Sequence, residues 1–404
     1  MSVFRLNPSL WPSWPKKTLV KDKPMPPLLD AEIAVIGGGI VALSVATGLA
    51  RLGRKVVVID ENDSAIRASR GNFGLVWVQG KGDMLPAYTP WAMEAVEIWP
   101  DLASWLLEFT GIDVALEQPG GLYLCRSEAD LAARAAKMAT VATHARGGYS
   151  YAMLDNQQLR ALVPQIGPEV AGGSFSPYDG QADPLRLFHA LHRAYGKLGG
   201  DYVTGDGVRG IEPTARGYVL DTGDCRIKAE RIVLAAGLGN AALGRMLGTD
   251  IPVKPVRGQI LVTERVPKVF GTVMEQARHM PDGTMIIGGS WEEDSGYDTA
   301  TSQTVTRRIA SDAMAFFPFL KGVNIVRSWG ALRIISPDAS PIYDEVAPGA
   351  FLVTCHSGVS LAAVHLEAVA EWVQNGSIPA DMVVFGLHRF RKSAGATSDR
   401  KAER

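Results

Sequence analysis

Three successive glycines, Gly37, Gly38 and Gly39, precede Ile40, Val41 and Ala42, and an acid, Asp60, stands 23 residues after the first of them. Glycine at 37 permits a tight turn, glycine at 39 permits close approach of a ligand to backbone, and the small Ala42 lets a helix pack against a strand. Free N–H groups at the start of that helix, including that of Ile40, would meet a pyrophosphate. Asp60 would accept hydrogen bonds from ribose hydroxyls, with Glu61 a second acid beside it, and acids here disfavour a ribose 2′-phosphate. The chemistry these residues point to is dinucleotide binding.

The motif needs a strand before it, a helix after it and a second strand ending at the acid. Ile33–Ile36 reads as a short buried strand, Ile40–Leu52 as a helix and Lys55–Ile59 as a second buried strand. The 18 residues from Ile33 to Ala50 carry no charge, but the glycines break the run, so a strand, turn and helix are expected rather than a membrane span. Other segments extend the cradle beyond what a nicotinamide dinucleotide would need. Ser69 to Leu75 (SRGNFGL) is a glycine-rich polar loop, Ile232 to Gly237 (IVLAAG) is a buried strand ending on small residues, and Cys355 to Val359 (CHSGV) leads from a strand into a helix. A helix start at this last segment would favour the negative charge of a reduced flavin. Glycine accounts for 43 of 404 residues, and the excess falls largely at such turns rather than in a repeat.

The remaining chain supplies alternating elements. A helical stretch over 86–111 is expected to break at Pro100, and a strand over Gly121–Arg126 leads to a helix capped by Ser127 with Asp130 in a capping box. Helices are expected over Pro184–Leu198, Thr304–Phe317 and Ser357–Asn375, and strands over Val256–Thr263, Met285–Gly288, Val323–Ile335 and Phe351–Thr354. The fold class is α/β: a Rossmann-like cofactor-binding domain with an inserted antiparallel-sheet α+β substrate domain. The expected division is an N-terminal arm over 1–30, a discontinuous cofactor domain over 31–85, 155–250 and 326–391, a substrate domain over 86–154 and 251–325, and a disordered tail over 392–404.

Composition excludes other classes. Lys plus Arg is 41 and Asp plus Glu is 42, a net charge of −1, which leaves no basic footprint for nucleic acid. The three cysteines, Cys125, Cys225 and Cys355, are far apart, which argues against a disulfide framework, zinc ribbon or iron–sulfur cluster in this chain and favours a reducing, cytoplasmic compartment. Six prolines in the first 30 residues leave no apolar segment for a signal peptide, no transmembrane segment is expected, and the histidines show no metal spacing.

Six ordered pieces together resemble the D-amino-acid-oxidase-like family of FAD-dependent oxidoreductases: VIGGGIVALSVATGLARLGRKVVVID, ASRGNFGLVW, DGQADP, AERIVLAAG, PVRGQI, and WGALRIISPDASPIYD followed by CHSGVSLA. The resemblance runs from about residue 31 to 390 and leans, through GNFGLVWVQGKG and CHSGVSLAAVH, towards the flavin subunits of opine oxidase, hydrogen cyanide synthase and hydroxyproline dehydrogenase. It implies that Gly37, Gly39 and Ile40 bind the pyrophosphate, that Asp60 and Glu61 hold the adenosine ribose, and that Val208 bonds adenine through its backbone. It further implies that Ser69, Asn72, Gly74 and Leu75 line the flavin, that Ala236 and Gly237 back it, and that Gly358, Val359 and Ser360 meet its pyrimidine end. Arg333 matches the family's arginine for the substrate carboxylate, and a guanidinium fork suits that group.

Where some oxidases of the family carry a lysine, this chain has Ile286, and there is no lysine between Met274 and Ser290. No histidine lies in residues 179–184, where multi-subunit sarcosine oxidases attach a flavin, and Cys355 is not at the family's flavin-linking position, so non-covalent FAD is expected. The implied reaction takes a hydride from a carbon bearing an amine and leaves an imine that hydrolyses. Arg333 would aim the substrate, and His356 is a candidate neighbour of the flavin. His279, Trp77 and Gln79 are further candidates that could equally serve packing. The implied partners are an amino-acid or secondary-amine-acid substrate of the D-amino-acid, imino-acid or opine type and, for a dehydrogenase complex, a second flavoprotein and an iron–sulfur subunit. A free-standing peroxide-forming oxidase and an FAD-dependent 2-hydroxy-acid dehydrogenase are the alternatives.

Overall fold

The computed structural model describes residues 28–61, 67–145 and 147–391. Most of the expected arm and the whole expected tail therefore lie outside the described residues. The first strand runs Leu28–Ile36, so the last three residues of that arm already pair in the central sheet, Leu28 opposite Arg226.

That sheet has eight strands. Its main path runs Ile342–Ala347, Ala350–Thr354, Arg226–Leu234, Leu28–Ile36, Val56–Glu61 and Asp201–Gly205, and the strands Gly217–Asp221 and Gly210–Thr214 branch from it. The four pairings at its heart are parallel. Side chains alternate across the first strand, as a period of two requires. Ile33 and Val35 enter a core with the helix Ile40–Arg51 and the C-terminal helix, whereas Ala34 and Ile36 enter a second core with Ile227, Leu243 and Leu352.

Two four-stranded sheets and a two-stranded one, Leu75–Val76 with Gly180–Gln181, complete the mixed α/β architecture. One four-stranded sheet orders Ala277–His279, Met285–Ile287, Lys254–Thr263 and Ile325–Ile335, and the other orders Val273–Met274, Gly121–Cys125, Gly172–Ser176 and Ala152–Asp155. These two share a third apolar core that includes Leu122, Leu261, Phe270 and Phe317. The chain crosses from one sheet to the other at Glu275 and Gln276, and Gln276 fixes the seam by donating to Leu124 O at 3.0 Å and accepting from Leu124 N at 3.3 Å.

The helix Glu128–His144 begins at the expected capping box, with Asp130 N donating to Ser127 Oγ at 3.1 Å and Ser127 N to Asp130 Oδ2 at 3.2 Å. The break in the earlier helical stretch falls at Ile98 instead of Pro100, because proline is tolerated in the first turn of the helix Trp99–Thr110. The C-terminal helix also departs from expectation. It starts at Ala362, passes through a π turn over His365–Val369 and ends with Ala370–Asn375. The segment before it is held by tertiary bonds: Ser360 Oγ donates to Leu75 O at 3.0 Å and accepts from Trp77 N at 3.1 Å. No helix among the described residues is long and apolar enough to cross a membrane.

Candidate active site

The glycine turn forms where three parallel strands end. Gly37 has φ +113°, a conformation that disfavours side chains, and a Cβ there would stand 2.5 Å from Ala235 O. Its N–H donates to Ile59 O at 2.7 Å, while the N–H groups of Gly38 and Gly39 have no partner among the described residues. The N–H of Ile40 donates to Ser69 Oγ at 2.9 Å, which joins two of the expected cofactor segments. Asp60 lies under this turn. A Cβ on Gly38 would be 2.6 Å from Asp60 Oδ2, and Tyr202 donates to the same oxygen at 3.4 Å. Glu61 is exposed and pairs with Arg67. Val208 follows the neighbouring strand, and it and Ala236 each pack against the second core. Ala236 N donates to Asn240 Oδ1 at 2.8 Å, and Gly237 opens a short 3₁₀ turn.

The loop after this turn is bent by Gly74, at φ +89°, whose N–H bonds Asn72 Oδ1 at 2.7 Å. A buried arginine that the sequence reading missed pins it. Arg278 donates from Nε to Gln181 Oε1 at 2.6 Å, from Nη2 to Ala182 O at 3.2 Å, and from Nη1 to Phe73 O. Gly358 abuts Val41 of the first helix, and Val359 O accepts from Trp99 Nε1 at 3.0 Å. The C-terminal segment thus reaches both the phosphate turn and the loop.

A cavity of about 930 Å³ opens beside these segments. Asn72, Leu75, Val359, Ser360, Arg333 and His356 line it, together with Trp77 and Gln79. Gly37, Gly39, Ile40, Asp60, Glu61, Val208, Ala236 and Gly237 do not, nor do Ser69, which bonds Ile40, Gly74, or Gly358, which abuts Val41. His279 is absent from the cavity, its ring held near Val269 N and Val266 O. Ile287 faces in, whereas Ile286 lines a separate pocket, so the position noted for its missing lysine is outside this cavity.

Arg333 stands on the strand Ile325–Ile335 and donates from Nη1 to Ser290 O at 2.9 Å. Its guanidinium carbon is 5.2 Å from the Trp291 ring centroid, a cation–π contact. The absence of a side chain at Gly258 makes this pose possible, because a Cβ there would lie 2.3 Å from Nη1. Its Nε and Nη2 have no hydrogen-bond partner among the described residues. Burial, then the nearby Lys81 and Arg333 cations, hold the His356 imidazole well below its ordinary pKa, so it is neutral. Lys81 is lowered by burial and donates to Ser357 Oγ at 2.7 Å. Glu275 also lines the cavity, and burial raises its carboxyl. Behind this wall, burial pushes Asp179 up to about 7, although Val78 N, Gln79 N and Gln79 Nε2 all donate to it.

The family described as "DAO: FAD dependent oxidoreductase" matches residues 32–372. This chain belongs to that family. As an FAD-dependent oxidoreductase it is 42% identical over 366 residues to an opine oxidase subunit of Agrobacterium tumefaciens (strain Ach5), covering 90% of this chain and 98% of the relative. It is 26% identical over 412 residues to hydrogen cyanide synthase subunit HcnC of Pseudomonas aeruginosa, covering 91% and 98%. Its fold is similar to that of glycine oxidase from Geobacillus kaustophilus, with a TM-score of 0.81 at 24% identity over 89% of this chain and 98% of the other.

The oxidoreductase uses FAD, and its residues fit that group. The glycine turn leaves two N–H donors without partners among the described residues, beside an acid and a backbone approach that a side chain would block. The charged cavity residues that the sequence reading missed include Lys81, Arg134, Lys137 and Glu275. One signal for Arg134 was present, since with Met138 and Val141 it occupies the i, i+4, i+7 stripe that the helix buries. Among the described residues no cluster of His, Cys, Asp or Glu could hold a metal, and the three cysteines are buried free thiols.

Proposed function

We propose that the protein oxidises the C–N bond of an amino acid or secondary amine acid, as the flavin subunit of a multi-subunit dehydrogenase. The observation that carries this reading is Arg333: a half-buried guanidinium that lines a cavity next to the cofactor cradle and whose Nε and Nη2 have no partner among the described residues. Bound FAD supplies the hydride acceptor. Arg333 holds the substrate carboxylate and so aims the C–H bond, a proximity effect. The neutral His356 adds no cation near the amine, so the substrate nitrogen meets no further repulsion there. Loss of the hydride leaves an iminium, and water adds to it, releasing amine and carbonyl.

Subunit status is supported by the names of the relatives, each of which is called a subunit, of opine oxidase in one case and of hydrogen cyanide synthase in the other. Non-covalent FAD is supported by Cys355, which is buried and does not line the cavity, and whose thiol burial pushes to about 12. Three buried free thiols are compatible with the cytoplasm. The test is anaerobic bleaching of the purified flavoprotein by a panel of amino acids, imino acids, N-carboxyalkyl amino acids and 2-hydroxy acids. Bleaching by amines supports the reading, and bleaching by 2-hydroxy acids alone overturns it. Rapid oxygen uptake with the bleaching substrate would point to a free-standing oxidase in place of a dehydrogenase complex.

A further inference from the structure

We propose that Glu275 is the base that takes the proton from the substrate ammonium before the hydride leaves. The inference rests on the amine-oxidising reading and adds a catalytic residue to it.

The reaction needs a nitrogen lone pair, because that pair becomes the second bond of the iminium as the hydride departs. An amine acid carries an ammonium at neutral pH, and an ammonium has no lone pair. Few groups around the cavity can accept the proton. His356 is neutral but held well below its ordinary pKa, so it is a feeble acceptor. Burial pushes the Cys125 thiol up to about 11 and raises the Tyr88 and Tyr123 hydroxyls, so all three keep their own protons. The carboxylates remain.

Five of them line the cavity, those of Asp83, Asp130, Glu275, Asp312 and Asp338. Asp83 pairs with Lys137 at 2.7 Å, Asp312 with Arg126 at 2.5 Å and Asp338 with Arg389 at 2.8 Å. Asp130 belongs to the capping box of its helix and accepts from Ser127 N at 3.2 Å. These four are engaged by the protein. The Glu275 carboxylate has no hydrogen-bond or ion-pair partner among the described residues. Its backbone is fixed, with the N–H donating to Leu122 O at 3.2 Å, and the next residue, Gln276, is bonded to both backbone atoms of Leu124. The side chain is exposed, and what it is exposed to is the cavity.

The charged and titratable groups that act on Glu275 come from four elements. Arg134 and Lys137 belong to the helix Glu128–His144, Lys81 to the loop after Leu75–Val76, Arg333 to the strand Ile325–Ile335, and Tyr123 and Cys125 to the strand Gly121–Cys125. Burial raises the Glu275 carboxyl and outweighs the four cations, which moves it in the direction that makes a carboxylate a better proton acceptor. In an α-amino acid one carbon separates the carboxylate from the nitrogen. A substrate clamped at Arg333 therefore brings its ammonium into the space where Arg333 and Glu275 interact.

In the step itself the ammonium N–H bond breaks, its electron pair stays on nitrogen, and the proton passes to a Glu275 oxygen, directly or through one water. The hydride then leaves the neighbouring carbon for FAD, so the substrate loses two electrons and FAD gains them. Glu275 returns its proton to water once the iminium has been hydrolysed.

The pH dependence of anaerobic bleaching at low substrate tests this, because a rate measured there reports the ionisations of free protein and free substrate. With a base in the protein the zwitterion reacts directly. The rate is then expected to stay level from the substrate's own amine pKa down through neutral pH, and to fall only where Glu275 takes up a proton. If the rate of the unaltered protein instead falls about tenfold per pH unit directly below the amine pKa, no group of the protein accepts the proton, and the proposal is overturned without any variant. Glu275→Gln is expected to show that slope, losing about 100-fold at neutral pH and recovering to within about threefold of the unaltered protein near the amine pKa. Glu275→Asp is expected to keep the level profile at a reduced rate. A loss that is the same at every pH, or a Glu275→Gln protein without flavin, marks a structural role and overturns the proposal. If no amine bleaches the flavin, the amine-oxidising reading fails and the base fails with it. If amines bleach and the profiles of Glu275→Gln and the unaltered protein have the same slope, the base alone is lost.

Discussion

The two ends of the site are built from different materials. At the nucleotide end the working groups are backbone N–H donors, a glycine with positive φ, and one acid at a strand terminus, all supplied by the single stretch from Ile33 to Asp60. At the substrate end they are charged side chains from positions 81, 134, 137, 275 and 333, delivered by a loop, a helix, a link between strands and a strand. Backbone chemistry imposes a spacing on the chain, because turn, helix and strand must follow in order. Side-chain chemistry imposes none, since any segment that reaches the cavity can deliver a charge.

The largest effect that could break this contrast is at Gly37. An alanine there would have to adopt φ near +113° with its Cβ 2.5 Å from Ala235 O. Gly37→Ala is expected to leave the purified protein with almost no flavin, read as the flavin-to-protein ratio alongside circular dichroism. A folded variant with full flavin content would show that backbone approach is not what the nucleotide end requires. Next comes Arg333, where the side chain should matter and the cofactor should not notice. Arg333→Met is expected to retain FAD and to lower the second-order rate of bleaching by roughly 100-fold, the loss of a charge-assisted clamp. Loss of FAD together with the rate would mean that the two ends are not separable.

Asp179 sharpens the contrast from behind the cavity wall, because it orders Gln79, which in turn accepts from Arg134. Burial raises its carboxyl from an ordinary 3.8 to about 7. Between those values the folded chain keeps a proton that the unfolded chain has released, so this group's contribution to stability is present at low pH and declines as pH rises towards 7. From pH 5 to pH 8 the decline is roughly 2 to 3 kcal/mol. Asp179→Asn costs one hydrogen bond at every pH, since its amide cannot accept from Gln79 Nε2, but it is expected to abolish that decline in denaturant midpoints. An unchanged pH slope would show that Asp179 stays ionised.

The same division explains what was legible. The β-α-β unit, the dinucleotide turn and the mixed α/β class could be read because each rests on local order. Glu275 could not, since the strand before it, Val273–Met274, is two residues long and shows no period. The strand Gly172–Ser176 has the sequence GGSFS, glycine-rich where β-branched residues are favoured, and only its partners make it a strand. The late start of the C-terminal helix depends on Ser360 bonding Leu75 and Trp77, residues nearly 300 positions away in the chain. Arg134 lies in an alanine-rich helix, and only packing puts it with Met138 and Val141 on the buried stripe.

At one place a local signal does reach the substrate end: the capping box of Ser127 and Asp130 starts the helix that carries Arg134 and Lys137. Ser127→Ala removes one exposed cap and is expected to cost about 1 kcal/mol in chemical denaturation, the smallest of these effects. The bleaching rate should hardly change, because Arg134 is fixed by Ser174 on a neighbouring strand and by Gln79 in the turn after Leu75–Val76 rather than by the first turn of its own helix. Comparing the two losses in one variant decides the matter. If the rate falls by much more than tenfold while stability falls by only about 1 kcal/mol, the helix start is placing the cations, and the substrate end is locally encoded after all.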